Sequence, residues 1–470
     1  MLKRLKECKT LKEIYQVLGN KPFEWGAVIL VLAWIAQPIM ATIGQVFIIF
    51  NPDYSLDLNF LVASDYQHNI QSLGILTLEF VAVYLLGCLL LNKGQIWKKF
   101  KSEPWHLFFL AMLLWSCIST VLSDDPMKSL LGSDMRFEGL LTYFFYAGVY
   151  ICTMIVIKSH VRRKILWFFS LVGNIVSILV ILQDFRIGFW DELFYRKLSA
   201  MFFQYNHTAY FLNMAIVCSM GMYLFTESRK IRIWYLFSMA LQIYAILVNS
   251  TFGCFLASWC ALVMLLIFFF RFYGKFSARM LVPVLIVIVI STASYLGYVP
   301  SSSGEDMRYN LRTLMGDMED IATNDESLNV VKERVGPGHG RMGLWRQGLK
   351  MIPRRPIFGY GPEMLDEELS KDMWIDRPDN EFIQYAVFLG IPGLAFYLLA
   401  LISMFIKQWL QMKKLDVTTI VSAGCVVAYL VSSMFGNSMF YTTPYLFMFL
   451  ALASAAPKEL LASETEKANV

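Results

Sequence analysis

Apolar residues in this chain arrive in runs of about twenty, again and again, and that recurrence leaves few folds open. A helix of that length rises about 30 Å, the thickness of a bilayer's hydrocarbon core. Runs of about twenty are the length a chain needs to cross that core as a helix. Twelve runs can be marked, near residues 25–48, 73–91, 105–122, 140–157, 165–184, 207–224, 233–249, 252–270, 280–298, 383–405, 417–436 and 441–456. The expected fold is therefore all-α: a polytopic transmembrane helical bundle of about twelve spans. The 57% hydrophobic and 16% charged content agrees, since soluble domains hold roughly 45–50% apolar residues.

The basic residues set the expected orientation. Lys3, Arg4, Lys6, Lys9 and Lys12 mark residues 1–24 as a short cytoplasmic helix, with no apolar core of a signal peptide ahead of the first span. Counting from there, the inner loops carry Lys93, Lys98, Lys99 and Lys101, then Lys158 and Arg162 to Lys164, then Arg229, Lys230 and Arg232, then Arg271, Lys275 and Arg279, then Lys407, Lys413 and Lys414. The short outer loops hold only Lys128, Arg136, Arg186, Arg196 and Lys197. Seventeen against five obeys the positive-inside rule, and long translocated loops escape that rule. Sorted by side in this way, the net charge of +5 does not call for nucleic acid. The expected layout is spans at 25–298, a large extracytoplasmic loop at 299–382 containing short helices, spans at 383–456, and a cytoplasmic tail at 457–470. Seven of the eight cysteines sit in apolar runs and none in a long outer loop, which excludes a disulfide framework and shows no metal-ligand spacing.

The long polar loop is where chemistry is expected. Met307, Leu311, Leu314, Met315, Met318 and Ile321 recur at helical spacing, predicting an amphipathic helix on the membrane surface. After the breaker Gly336-Pro-Gly-His-Gly340, a second helix is expected from Arg341 to Ile352, stopped by Pro353, with Leu344, Trp345, Leu349 and Ile352 on one face. Arg341 at its start and Arg346 one turn before Lys350 can hold an anion such as a lipid diphosphate, because a guanidinium presents two parallel donors to a phosphate. The alternative is that they meet lipid headgroups or the loop's own acids. Asp379, before the tenth span, is either a base for an acceptor hydroxyl or part of an N-cap, the commoner use of Asp-Asn-Glu at a helix start. Asn380 stands beside it at the mouth of the bundle.

Other candidates lie outside the loop. Arg136 can complete an anion site or pair internally with Asp134 or Glu138. Glu79 is an acid inside a span, by default a functional residue unless a partner makes it structural. Asn206 and His207 open the sixth span and can bind sugar, or His207 is simply solvated. Leu389-Gly-Ile-Pro-Gly393 is expected to bend the tenth span. A nucleotide-binding glycine loop, an Asp-X-Asp pair and a nucleophile elbow are all missing, which disfavours a nucleotide-sugar donor with a divalent metal.

Gly340-Arg341-Met-Gly-Leu-Trp345, Pro356-Ile-Phe-Gly-Tyr-Gly361, Arg377-Pro-Asp-Asn-Glu-Phe-Ile-Gln384 and Gly390-Ile-Pro-Gly-Leu394 together resemble the signature region of the O-antigen ligase and polymerase superfamily. Gly132 to Leu140 and Phe203-Gln-Tyr-Asn-His207 look like its earlier motifs. The resemblance implies a cofactor-free, metal-independent, inverting glycosyltransferase of the cytoplasmic membrane, acting on the extracytoplasmic face. Its implied partners are an undecaprenyl diphosphate-linked glycan, an acceptor glycan or lipid-linked glycan, and membrane lipids. It implies diphosphate binding by Arg341 and places Asp379 where the family has its histidine base. A second family arginine is missing, since Ser250-Thr-Phe-Gly253 occupies its place, and Arg136 is the available substitute. A lipid or polysaccharide transporter, or a non-catalytic member of a polysaccharide assembly complex, is the alternative.

Overall fold

The structure, a computed structural model, describes residues 7–49, 58–91, 103–133, 136–156, 158–185, 200, 202, 204–249, 251–298, 341–365 and 377–454. The amphipathic stretch expected over Met307 to Ile321 lies outside them. Among the described residues the chain is helical and without strands. The helices are α1 (Leu11–Leu18), α2 (Lys21–Ile49), α3 (Leu58–Leu91), α4 (Pro104–Val121), α5 (Pro126–Leu131), α6 (Leu140–Ile155), α7 (Ser159–Asp184), α8 (Tyr205–Phe225), α9 (Arg229–Asn249), α10 (Phe252–Tyr273), α11 (Leu281–Tyr295), α12 (Arg341–Met351), α13 (Glu381–Leu410), α14 (Val417–Ser433) and α15 (Thr443–Ala453). Nine of the described helices are long and apolar enough to cross a membrane, and α6, α14 and α15 are shorter apolar helices where the remaining spans are expected. The chain is a multi-pass helical membrane protein.

The core forms around α8. Every residue of α8 from His207 to Phe225 is buried, and α7, α9, α10 and α14 pack around it. Lipid is as apolar as leucine, so burial alone gives such a helix little reason to sit inside; polar bonds between helices supply it. Gln242 of α9 donates to the Ser170 carbonyl (3.1 Å) and the Asn174 side chain (2.8 Å) of α7, and accepts from Ser219 of α8 (2.9 Å). Asn213 of α8 donates to the Ala428 carbonyl (2.9 Å) and Ser432 (2.7 Å) of α14.

The expected bend in α13 is present, and it organises one end of the bundle. Gly390 leaves helical geometry at φ 72°, so neighbouring backbone groups lose their helical partners. The 356–361 turn supplies new ones. Tyr360 N–H donates to the Val387 carbonyl (3.0 Å), Gly361 N–H to Phe388 (2.9 Å), and Ile391 N–H to the Pro356 carbonyl (2.8 Å). From α4, Ser119 Oγ reaches the Phe388 carbonyl (2.9 Å) and Trp115 Nε1 the Leu389 carbonyl (2.9 Å). The two backbones approach so closely that a Cβ on Gly390 would run into the Ile357 carbonyl, and one on Gly359, at φ 69°, into Phe388. The Pro356 to Gly361 and Gly390 to Leu394 motifs, some thirty residues apart in sequence, thus make one docked unit.

Successive spans alternate in direction, so their connections sort to two ends. One end gathers residues 122–133 and 136–139, the start of α8, the α9–α10 junction, α12 with the 356–365 turns, the 377–380 segment, and the loop Met434–Thr442. The other carries basic side chains held by acids: Lys407 with Glu103, Lys158 with Glu24 (3.0 Å), Arg163 with Asp416 (3.7 Å) and Arg279 with Glu227 (3.4 Å).

Candidate functional site

Asp379 takes its place through the residues on either side of it. Asn380 is the N-cap of α13: its Oδ1 accepts from Phe382 N–H (3.0 Å) and Ile383 N–H (3.1 Å), while its Nδ2 donates to the Met434 carbonyl (3.0 Å). The cap at this helix start is therefore the amide and not the carboxylate, because the asparagine can satisfy two helix donors and still tie down the neighbouring loop. Asp379 itself is turned into the left-handed region at φ 48°. Its carbonyl accepts from Trp345 Nε1 of α12 (3.2 Å), and its Oδ1 accepts from Asn437 Nδ2 (2.7 Å).

Two residues before it, Arg377 is 1% exposed and forms an ion pair with Glu363, itself 1% exposed. Arg377 Nη1 also donates to the Ser438 carbonyl (2.9 Å) and contacts Met439 Sδ (3.3 Å). The other Glu363 oxygen accepts from Glu138 N–H (2.7 Å). Glu138 is fully buried and accepts from the Tyr146 hydroxyl (2.7 Å). Burial pushes the Glu138 carboxyl up from 4.5 to about 7, against the pull of the Arg377 guanidinium and the Tyr146 hydroxyl. One guanidinium thus sits among acids from two other segments, joining the 136–139 loop, the 361–365 turn and the 377–380 segment.

The loop Met434–Thr442 between α14 and α15 is the common partner of these pieces. Ser438 exchanges bonds with Gln384 of α13, at 3.0 and 3.2 Å. Phe435 meets the Trp345 ring at 6.2 Å between centroids. Met439 is contacted by Arg136 Nη1 (3.9 Å) as well as by Arg377, and Tyr441 stacks on His207 at 5.2 Å.

Of the residues singled out in the sequence, Asp379, Asn380, Arg136 and His207 gather round this loop, and Arg136 and Arg377 lie within electrostatic reach of His207. Arg136 does not pair with Glu138, which is turned into the buried cluster instead. Asn206, half-buried, precedes His207 on α8. Arg346 is exposed on α12, whose buried face is Leu344, Gly348 and Met351; Leu349, expected on that face, is 54% exposed. Arg341 opens α12, and its side chain lies outside the described residues. Glu79 stands apart. It is exposed on α3, one turn from Val83, whose carbonyl takes the Tyr15 hydroxyl of α1 (2.8 Å).

Asn437 and the 434–442 loop escaped the reading of the sequence, which names Arg377 only within a motif and Glu363 only as one of the loop's own acids. Two signals were available: Arg377 lies within the Arg377-Pro-Asp-Asn380 run, and Gly436-Asn-Ser438 is a polar interruption between two apolar runs. Beneath the cluster, α4, α6, α13 and α15 enclose a lateral groove of about 660 Å³, counting the part open to the outside. Its walls are aromatic and aliphatic, Phe109, Leu113, Tyr150 and Phe447 among them, and Tyr143 and Tyr146 close it at the Glu138 end. Among the described residues no group of three or more His, Cys, Asp or Glu is placed to hold a metal ion.

Comparison with known families finds that residues 237–398 match the model of the family described as O-antigen ligase. That stretch runs from within α9 to within α13 and includes α12, the 356–365 turns, Arg377 and Asp379. Arg136, His207 and the 434–442 loop fall outside it. No curated protein matches the chain.

Proposed function

We propose, from the match of residues 237–398 to the family described as O-antigen ligase, that this chain belongs to the O-antigen ligase and polymerase superfamily and transfers a glycan from an undecaprenyl diphosphate-linked donor to an acceptor hydroxyl. The reaction takes place at the outer face of the cytoplasmic membrane. The observation that carries this reading is Asp379 itself. Its carboxylate is held by Asn437 at a bundle end that also gathers Arg136, His207 and the start of α12.

In the proposed step Asp379 takes the proton of the acceptor hydroxyl as that oxygen forms a bond to the anomeric carbon of the donor glycan. The bond from that carbon to the diphosphate oxygen breaks on the opposite face, so configuration inverts, and the lipid diphosphate leaves with the electron pair. Negative charge grows on the leaving group, where fixed cationic donors stabilise the transition state more than the ground state. Arg136 and Arg346 are the described cations for that role, with Arg341 at the N-terminus of α12, where backbone N–H groups favour an anion as well. Arg377 is committed to Glu363 and Ser438, and it acts through the framework. The aromatic groove ending at Tyr143 and Tyr146 is a path of the right polarity for the donor's apolar tail. The donor arrives activated, so the step asks only for positioning, charge stabilisation and one base.

The test is to incubate the purified protein in a bilayer disc with a lipid-diphosphate oligosaccharide and no added metal. Release of lipid diphosphate is expected, with a ladder of lengthened glycans for a polymerase or one conjugate for a ligase. Movement of intact lipid-linked glycan across a vesicle membrane without release supports a transporter instead and overturns the reading.

A further inference from the structure

Resting on that reading, we propose that Asn437, on the loop between α14 and α15, is a positioning residue that fixes the protonation and aim of the Asp379 carboxylate. This loop lies beyond the stretch that matches the ligase family.

The argument begins with which end of the amide faces Asp379. A carboxylate only accepts hydrogen bonds, so the group 2.7 Å from its Oδ1 is the Asn437 NH₂, and the Asn437 carbonyl oxygen points elsewhere. That oxygen is buried and has no hydrogen-bond partner. A buried acceptor left unpaired is costly, and an incoming hydroxyl is the kind of donor that satisfies it. The placement is not accidental, because the loop is pinned on both sides of Asn437. Before it, the Met434 carbonyl takes the Asn380 amide (3.0 Å); after it, Ser438 is held by Gln384 and by Arg377. Asp379 is equally fixed by its left-handed turn and by Trp345. Two rigid supports from different parts of the chain therefore meet at one hydrogen bond.

An amide that donates to a carboxylate stabilises the ionised form, which keeps Asp379 ready as a base down to lower pH. The titratable groups on the surrounding elements are Arg377 and Glu381 on its own segment, Glu363 on the 361–365 turn, Arg346 and Lys350 on α12, Arg136 and Glu138 before α6, and His207 at the start of α8. All are left intact in the test.

The test uses the full-length protein in bilayer discs with a lipid-diphosphate oligosaccharide, following rate against pH. Asn437→Asp preserves the side chain's size but sets a second carboxylate against the first, and two such groups share a proton. The acid limb of the kcat profile is expected to rise by at least about one pH unit. Asn437→Ala removes the donor and is expected to lower kcat by about 10- to 100-fold, with the same sense of pH shift and little change in KM for the lipid donor. Thermal melting of both variants separates a folding defect from a loss of positioning. If both variants melt like the parent and keep its rate and pH profile while Asp379→Asn is inactive, the role of Asn437 is overturned and the base stands. If Asp379→Asn itself is fully active, the underlying reading fails.

Discussion

Arg377 is buried almost completely, and its charge is answered by Glu363, the Ser438 carbonyl and the field of Glu138. Removing one member of a buried pair leaves the other charge stranded, so Arg377→Met is expected to cost about 3–5 kcal/mol of stability. Adding Glu363→Gln to that variant removes the stranded charge and should recover part of the loss. Chemical denaturation in matched detergent measures both. Glu138 gives a pH prediction. Its carboxyl is held up at about 7 by burial, against 4.5 for an ordinary one, so the folded protein binds that proton more tightly than the unfolded chain does. The stabilisation is complete below about pH 4.5 and is lost as pH rises through about 7. Glu138→Gln should flatten the fall in melting temperature across that window; an unchanged fall would assign it to other groups.

The kink in α13 and the turn docked on it are the elements that present Asp379. Gly390 and Gly359 both combine a positive φ with contact between two backbones. Gly390→Ala or Gly359→Ala is therefore expected to lose about 2–5 kcal/mol from strain and overpacking together. Gly274→Ala is the control: its φ is +69°, but a Cβ there meets nothing within 4 Å, so only about 1–2 kcal/mol of conformational strain is expected. This kink was legible from Gly390-Ile-Pro-Gly393, since glycine and proline in an apolar run have few other uses. The spans were legible for a similar reason: length and polarity are local properties of a sequence. The burial of Arg377 and the reach of Asn437 to Asp379, 58 residues away, depend on how separate segments dock, and no local pattern carries that. The left-handed turn of Asp379 and the capping of α13 by Asn380 emerge only when the 434–442 loop is present to take the amide.

Across the whole molecule, Glu138, Glu363 and the site loop lie at one end, while the other end carries basic side chains paired with Glu24, Glu103, Glu227 and Asp416. If the basic end is cytoplasmic, a membrane-impermeant thiol reagent applied to intact cells should label Arg346→Cys and spare Lys230→Cys, with the native cysteines replaced in both. Labelling in the opposite sense would invert the proposed orientation and deny the site its lipid-linked donor from outside. The central claim is narrower: Asp379 is the group that makes transfer from a lipid diphosphate possible. Its most direct measurement is lipid-diphosphate release by the purified protein, compared with that of Asp379→Asn at matched folding. The account predicts release by the parent and a rate at least about 100-fold lower for the variant; equal rates would contradict it.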